Sequence, residues 1–232
     1  MTTRHTDTVD PRLRMAVDES ACWYDELCAL HGIGCGIQAG LWSSVGPPPP
    51  LHSAAKSVEP TVTAEQALRS VSQQDRCSLA DSFGTLKLES EMDLLISARW
   101  LHRPPLDEPP AAMPGGWTLV RSADALAEWT AQHDTAEVLL PGLLRRSNFS
   151  VLGRRDNDVL TAGAVTHLCG GAGSISNVWA APGHEAGWVE LVHVVHAVHP
   201  RRALVGYEQG EELARARDAG FTDVGPQLVW FR

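Results

Sequence analysis

The carboxy-terminal run from Leu204 to Arg232 constrains this chain more than any other stretch, because its pattern admits one order of elements: strand, helix, Gly-Phe turn and closing strand. Residues 203–207 are a short apolar run suited to a buried strand. Residues 210–219 consist largely of good helix formers, with Leu213, Ala214 and Ala216 at helical spacing. Gly220 then stands where a left-handed cap needs a residue without Cβ, and Phe221 can fold back onto the helix.

Upstream, the polar turn 153–158 separates apolar runs at 149–152 and 159–168, and Gly170 to Gly173 turn into a third run at 174–180. Three antiparallel strands are the simplest result. The loop Pro182-Gly183-His184-Glu185-Ala186-Gly187 follows, and then 188–198, whose Val189, Leu191, Val192 and Val195 mark a helix.

This order of meander, glycine-containing loop, helix, strand, helix and Gly-Phe resembles the GCN5-related N-acetyltransferase (GNAT) superfamily over roughly residues 115–232. The resemblance implies an α/β (α+β) fold with a mixed, mostly antiparallel sheet flanked by helices. It implies an acyl-CoA-dependent N-acyltransferase, with acetyl-CoA or another acyl-CoA as cosubstrate and a small-molecule amine as acceptor. In that superfamily the strand before the loop splays from its neighbour, and the loop amides hold the CoA pyrophosphate together with the next helix's N-terminus. Unpaired amides at a helix start make an anion site on general grounds. Carried onto this sequence, the resemblance puts Gly183, His184, Ala186 and Gly187 at the pyrophosphate. It puts the backbone of Val178, Trp179 and Ala180 along the pantetheine arm and the developing oxyanion, and Gln209 near where the superfamily often has Asn.

The sequence also departs from the pattern. The superfamily's loop carries Arg or Gln ahead of its glycines, and this loop has neither, while Glu185 would repel a phosphate unless turned away. The usual acid tyrosine, four residues before the Gly of Gly-Phe, is Ala216. These departures motivate an alternative: a catalytically inactive GNAT-like protein that binds a ligand or a protein.

Amine acylation needs a neutral amine, a stabilised oxyanion and a proton for the departing thiolate. Glu208, at the carboxyl end of the 203–207 strand where open α/β sheets gather ligands, is the base candidate, and Tyr207 beside it can replace the absent acid. The competing readings are a helix-start acid complementing the dipole for Glu208 and a half-buried strand aromatic for Tyr207. Ser176 and Asn177 can meet substrate from the splayed strand, and His167 reads as a satisfied strand histidine. Of eight tryptophans, Trp179 and Trp188 bracket the loop and are candidates to line an acyl or acceptor pocket.

Composition removes other classes. A formal charge of −9 argues against a nucleic-acid surface, which needs clustered Lys and Arg. No apolar run approaches a membrane span and the first residues lack a signal-like segment, so the expectation is a cytoplasmic protein with no membrane partner. A homodimer is compatible with the chain. Five cysteines with no C-x-x-C pair point to buried free thiols and no metal site. His193, His196 and His199 invite a metal-hydrolase reading, but they wind partly around a helix and no Asp or Cys completes a set. Two of them are expected to face solvent and the third to end the helix before Pro200.

The expected organisation is a disordered tail at 1–12, an α/β region at 13–105, a Pro-rich linker at 106–115 and a GNAT-like domain at 116–232. Within the first region a helix is expected at 17–31, with Trp23, Leu27 and Leu30 on one face. The small residues at 33–37 read as flexible, and Gly46 with the four prolines after it as an extended loop. A short edge strand is expected within 53–62, then a helix at 64–71 with Thr63 and Gln66 as a capping box. Residues 82–88 and 92–101 read as a strand pair. Beyond the linker, 116–120 opens with a strand, and Ser122 caps a helix at 123–132 with Leu126 and Trp129 inward. The element order of the first region suggests a diverged, partial copy of the same fold.

Overall fold

The computed structural model describes residues 9–232. The amino-terminal region supplies α1 (Pro11–Leu30), β1 (Cys35–Gln38), β2 (Leu41–Ser44), β3 (Ala55–Ser57), α2 (Ala64–Ser70), β4 (Ser78–Asp81) and β5 (Asp93–Arg103). The rest supplies β6 (Trp117–Leu119), α3 (Ala123–Ala131), a short 3-10 helix (Pro141–Arg145), β7 (Phe149–Asp156), β8 (Val159–Cys169), β9 (Ala172–Ser174) and β10 (Ser176–Ala180). The chain then finishes with α4 (Trp188–Val198), β11 (Ala203–Glu208), α5 (Gly210–Asp218) and β12 (Thr222–Phe231).

All twelve strands join one sheet, in the order β1-β2-β3-β4-β12-β5-β11-β9-β8-β7-β6, with β10 on β8. Only the β3/β4 and β9/β11 ladders are parallel, so the sheet is mixed and mostly antiparallel, as expected. Parallel neighbours need a crossover, and both have one: α2 links β3 to β4, and α4 follows β10 on the way to β11. Each crossover is preceded by an antiparallel meander, β1-β2-β3 in one case and β7-β8-β9 in the other. The two halves then exchange closing strands: β5 pairs with β11, β12 pairs with β4, and β5 and β12 pair with each other. The Pro-rich segment therefore connects β5 to β6 within one sheet, and its Leu106 and Met113 pack against the core beneath α4.

Helices cover both faces. On one, Trp23 and Leu27 of α1 and Leu126 and Trp129 of α3 meet Val151 and Val165. On the other, Leu191 and Val195 of α4 and Ala216 of α5 meet Leu152 and Ala164. The neighbours Val151/Leu152 and Ala164/Val165 divide between the faces because strand side chains alternate. Gly163 lies on β8 where Trp129 and Trp179 converge, their rings 5.6 Å apart, and a methyl there would strike both indoles.

Several elements differ from expectation for identifiable reasons. α1 begins six residues before the expected start, because Asp10 accepts from the Arg12 amide at 2.8 Å and Pro11 stands at the first helical position. Residues 11–12 of the expected disordered tail thus belong to α1, and residues 1–8 lie outside the described residues. The small-residue segment forms the β1–β2 hairpin, whose turn residues Ala39 and Gly40 have φ of 49° and 81°. β3 is an interior strand between β2 and β4. Residues 82–88 form no strand, because the buried Asp81 carboxylate accepts the amides of Phe83 at 3.2 Å and Leu86 at 2.8 Å and turns the chain there. The Thr63–Gln66 capping box and the Ser122 cap form as expected.

Cys22 and Cys169 form a disulfide that ties α1 to the end of β8, which corrects the expectation of free thiols for these two; Cys28, Cys35 and Cys77 are free. Of His193 and His196 in α4 and His199, which ends the helix as expected, only His193 is exposed. His196 is buried, its Nδ1 2.8 Å from the Val192 carbonyl and its Nε2 3.2 Å from the Arg202 carbonyl, and His199 is also buried. The helix turns two of the three into the core because α4 packs flat on the sheet. No helix among the described residues is long and apolar enough to cross a membrane.

Candidate functional site

The sheet opens between β10 and β11. β9 and β11 pair through Ala172–Ala203, Gly173–Leu204 and Ser174–Val205, and the Ile175 amide makes a last bond to the Val205 carbonyl at 2.9 Å. Beyond it β10 stays with β8 while β11 stays with β5, and the two strands part. Two local features produce the parting. A bulge between Ser176 and Trp179, with Asn177 at φ 50°, bends β10 away and leaves backbone groups out of the β8 ladder. Gly206 permits the final close approach, since a Cβ there would lie 2.8 Å from the Ile175 carbonyl oxygen.

On the α1 side the gap opens into a cavity of about 340 Å³. Ser176, Asn177 and Val178 line it from β10, Tyr207, Glu208 and Gln209 from β11 and its end, and Glu19, Trp23 and Tyr24 from α1, with His52 and Trp100 completing the wall. Six of the residues proposed from sequence, Ser176, Asn177, Val178, Tyr207, Glu208 and Gln209, thus meet in one place. Trp179 and Ala180 instead remain in the β8 ladder. The buried rings of Trp179 and Trp188 are not part of this cavity's wall: the first packs on Trp129, and the second packs on Phe221 at 5.6 Å and donates to Glu212 at 2.7 Å. Each points inward because its element buries that face.

The loop lies at the other end of the gap, where Val178 and Ala186 pack against the core of α4 and α5. Gly183 takes the positive φ of 82° that its turn requires, and the His184 amide bonds the Ala181 carbonyl at 2.9 Å. Gly187 begins α4 without a side-chain cap, so that first turn offers its amides to a ligand. Glu185 is exposed. Arg154, from β7, donates to the Glu185 carbonyl at 2.8 Å and to Glu190 at 3.1 Å and lies over the Trp117 ring. A cation missing from the loop sequence thereby reaches the loop through space.

Electrostatics at the cavity are set by burial. The Glu208 carboxyl is pushed up to about 7 by burial, with repulsion from Glu212 adding to it and the Gln209 amide opposing. Burial raises the Tyr207 phenol above its ordinary value, with Tyr24 and Glu208 adding; its ring stands edge-on to Trp100 at 5.3 Å, directly across the β5 ladder. His52 is held neutral by burial, at about 4; its Nδ1 lies 2.9 Å from the Pro50 carbonyl and its Nε2 accepts from Trp23 at 3.1 Å. Glu19 is buried with Oε1 2.6 Å from His167 Nδ1, and His167 Nε2 faces the Asn148 amide nitrogen at 3.1 Å. Because that amide nitrogen only donates, the His167 proton sits on Nδ1, toward Glu19. Lys56 lies behind the cavity, fully buried, its Nζ without a hydrogen-bond partner and 4.7 Å from the Trp100 ring centre. Burial drags this ammonium down to about 7 against the pull of Glu19 and Asp81.

Glu19, Trp23, Tyr24, His52 and Arg154 were not among the residues proposed from sequence. Each reaches the site through pairings distant along the chain, and no local motif marks them.

No protein-family model and no curated protein matches the sequence. Solved structures do match. A GCN5-related N-acetyltransferase from Kribbella flavida is 15% identical with a TM-score of 0.65, over 94% of this chain and 95% of that one. A GNAT-family protein from Novosphingobium aromaticivorans is 14% identical with a TM-score of 0.60, over 95% of each chain. The N-myristoyltransferase of Saccharomyces cerevisiae, with bound myristoyl-CoA, is 10% identical with a TM-score of 0.50, over 72% of this chain and 54% of its own. The likeness spans nearly the whole chain, where the sequence resemblance covered only its carboxy-terminal half. The chain has the fold of the GCN5-related N-acetyltransferases.

Proposed function

We propose that this protein is an acyl-CoA-dependent N-acyltransferase of the GNAT superfamily that acts on a small-molecule amine, with acetyl-CoA as the simplest donor. The observation that carries this reading is the gap between β10 and β11, with an anion-accepting loop at one end and a titratable cavity at the other. At the loop the uncapped α4 amides suit a pyrophosphate, and Arg154, whose guanidinium is shared with Glu190, brings a cation to the Glu185 carbonyl. Backbone groups freed along β10 suit an extended pantetheine arm, bound as an added strand.

In this reading Glu208 takes the proton of the incoming amine, and at about 7 its carboxyl is matched to that task near neutral pH. The amine nitrogen attacks the thioester carbonyl carbon, and amides at the β10 bulge stabilise the oxyanion. As the C–S bond breaks, the Tyr207 phenol, protonated at neutral pH as tyrosines are, gives its proton to the departing sulfur, and the proton held by Glu208 then restores the phenol. The net change moves one proton from nitrogen to sulfur and leaves an amide and a thiol.

The competing reading, a GNAT-like binding protein without activity, draws on Ala216, which is fully buried and holds no acid at the expected place. Thermal melts and thiol release on an amine panel separate the two. Acetyl-CoA at about a hundred times its Kd is expected to stabilise the native protein by about 2–3 kcal/mol, with much of that lost in Arg154→Ala. No stabilisation at millimolar acetyl-CoA and no thiol release would refute acyl transfer, and stabilisation without release would favour the binding protein.

A further inference from the structure

Resting on the acyltransferase reading, we infer that the acceptor carries a second positive charge beyond its reacting amine, and that Glu19 selects it. The acceptor class this describes is a short diamine or an amine bearing a second cationic group.

Glu19 enters the cavity from α1 although it is 4% exposed. One of its oxygens is fixed by His167, whose ring is set by Asn148, and the other makes no hydrogen bond among the described residues. A buried carboxylate with one oxygen oriented and the other open is built to meet a donor. Around it stand Trp23, Tyr24, Trp100 and Tyr207. The indole N–H groups of Trp23 and Trp100 are committed to His52 and to the Ser82 carbonyl. The two indoles therefore offer the cavity apolar, electron-rich surface in place of donors, the surroundings in which an ammonium is favoured.

Charge counting points the same way. No Lys or Arg lines the cavity, so an acceptor carboxylate or phosphate has no anchor there. The two lining histidines, His52 and His133, are both shifted by burial toward the neutral form. Lys56, behind Tyr24 and Trp100, is the cation facing Glu19, and it faces Asp81 as well, so this buried trio keeps a net negative charge when all three are ionised. Glu208 adds a second carboxyl beside the gap, ionised above about 7. One carboxylate serves the reacting amine, and Glu19 is left over for another cation. The cavity of about 340 Å³ lies at the small end for ligand sites, which limits the separation of the two charges.

The test uses the full-length protein with putrescine and n-butylamine, which differ by one terminal ammonium, and acetyl-CoA as donor. The inference expects kcat/KM for putrescine to exceed that for n-butylamine by about tenfold or more, in the range of a buried charge-assisted contact. It expects Glu19→Gln, which keeps an oxygen for His167, to erase most of that ratio through the KM for putrescine. Calorimetric titration of putrescine without acetyl-CoA adds a second readout, with Glu19→Gln weakening binding by a similar factor. Turnover of both amines at equal kcat/KM by the wild-type protein would overturn the inference and leave the acyltransferase standing. Tight, Glu19-dependent putrescine binding with no turnover would keep the cation site and sink the acyltransferase. The absence of both binding and turnover of putrescine would overturn the inference.

Discussion

Replacing Glu208 by glutamine separates a functional carboxyl from an ordinary helix-start acid, because the two make opposite predictions for stability. A helix-start acid stabilises the fold when ionised. Glu208 is held near 7 against an ordinary 4.5. Between those two values the native state keeps a proton that the unfolded chain has released, so stability falls as pH rises from about 4.5 to about 7 and stays reduced above. At about 1.4 kcal/mol per pH unit the gap corresponds to about 3 kcal/mol, and partial solvent access trims it toward about 2 kcal/mol. Glutamine never ionises, so Glu208→Gln is expected to match the wild type at pH 5 and to exceed it by about 2 kcal/mol at pH 8, read from urea unfolding. The same variant is expected to lose about 10²- to 10⁴-fold in kcat. It is also expected to lose the rise in kcat/KM centred near pH 7. Parallel stability curves from pH 5 to 8, or a variant less stable at pH 8, would refute the burial argument. A variant stabilised at pH 8 with undiminished kcat would keep that argument and remove Glu208 from catalysis.

Two further perturbations test the framework that holds the site. Gly163→Ala drives a methyl into the Trp129 and Trp179 indoles, and is expected to cost about 1–3 kcal/mol with a lower Tm; an unchanged melt would mean those rings are not packed as described. Replacing both Cys22 and Cys169 by serine is expected to lower stability by about 2–4 kcal/mol, and reductant should depress the wild-type Tm without affecting the variant. Equal melting of the two proteins under oxidising conditions would remove the cross-link as a stabilising feature.

What the sequence disclosed and what it withheld divide along local and non-local physics. The Thr63–Gln66 box, the Ser122 cap and the Gly220 turn are written in neighbouring residues and formed where expected, while the third run of the expected meander is split into β9 and β10. Tyr207 and Glu208 were legible because they end a strand that the pattern made plain. Glu19 and Arg154 were not, since their placement depends on α1 crossing the gap and on β7 lying beside the loop. The expected pairing of 82–88 with 92–101 failed for the same reason. Asp81 capturing two amides ends β4 locally, and the partners of β5 come from residues more than a hundred positions later in the chain.

The exchange of closing strands also fixes the order in which this protein can mature. As the polypeptide emerges from the ribosome, β5 has no lasting partner until β11 arrives, and β4 keeps one flank open until β12 has left the exit tunnel. Nascent chains therefore carry unprotected hydrogen-bonding edges until β11 and β12 form, and removal of β12 would open the middle of the sheet rather than its rim.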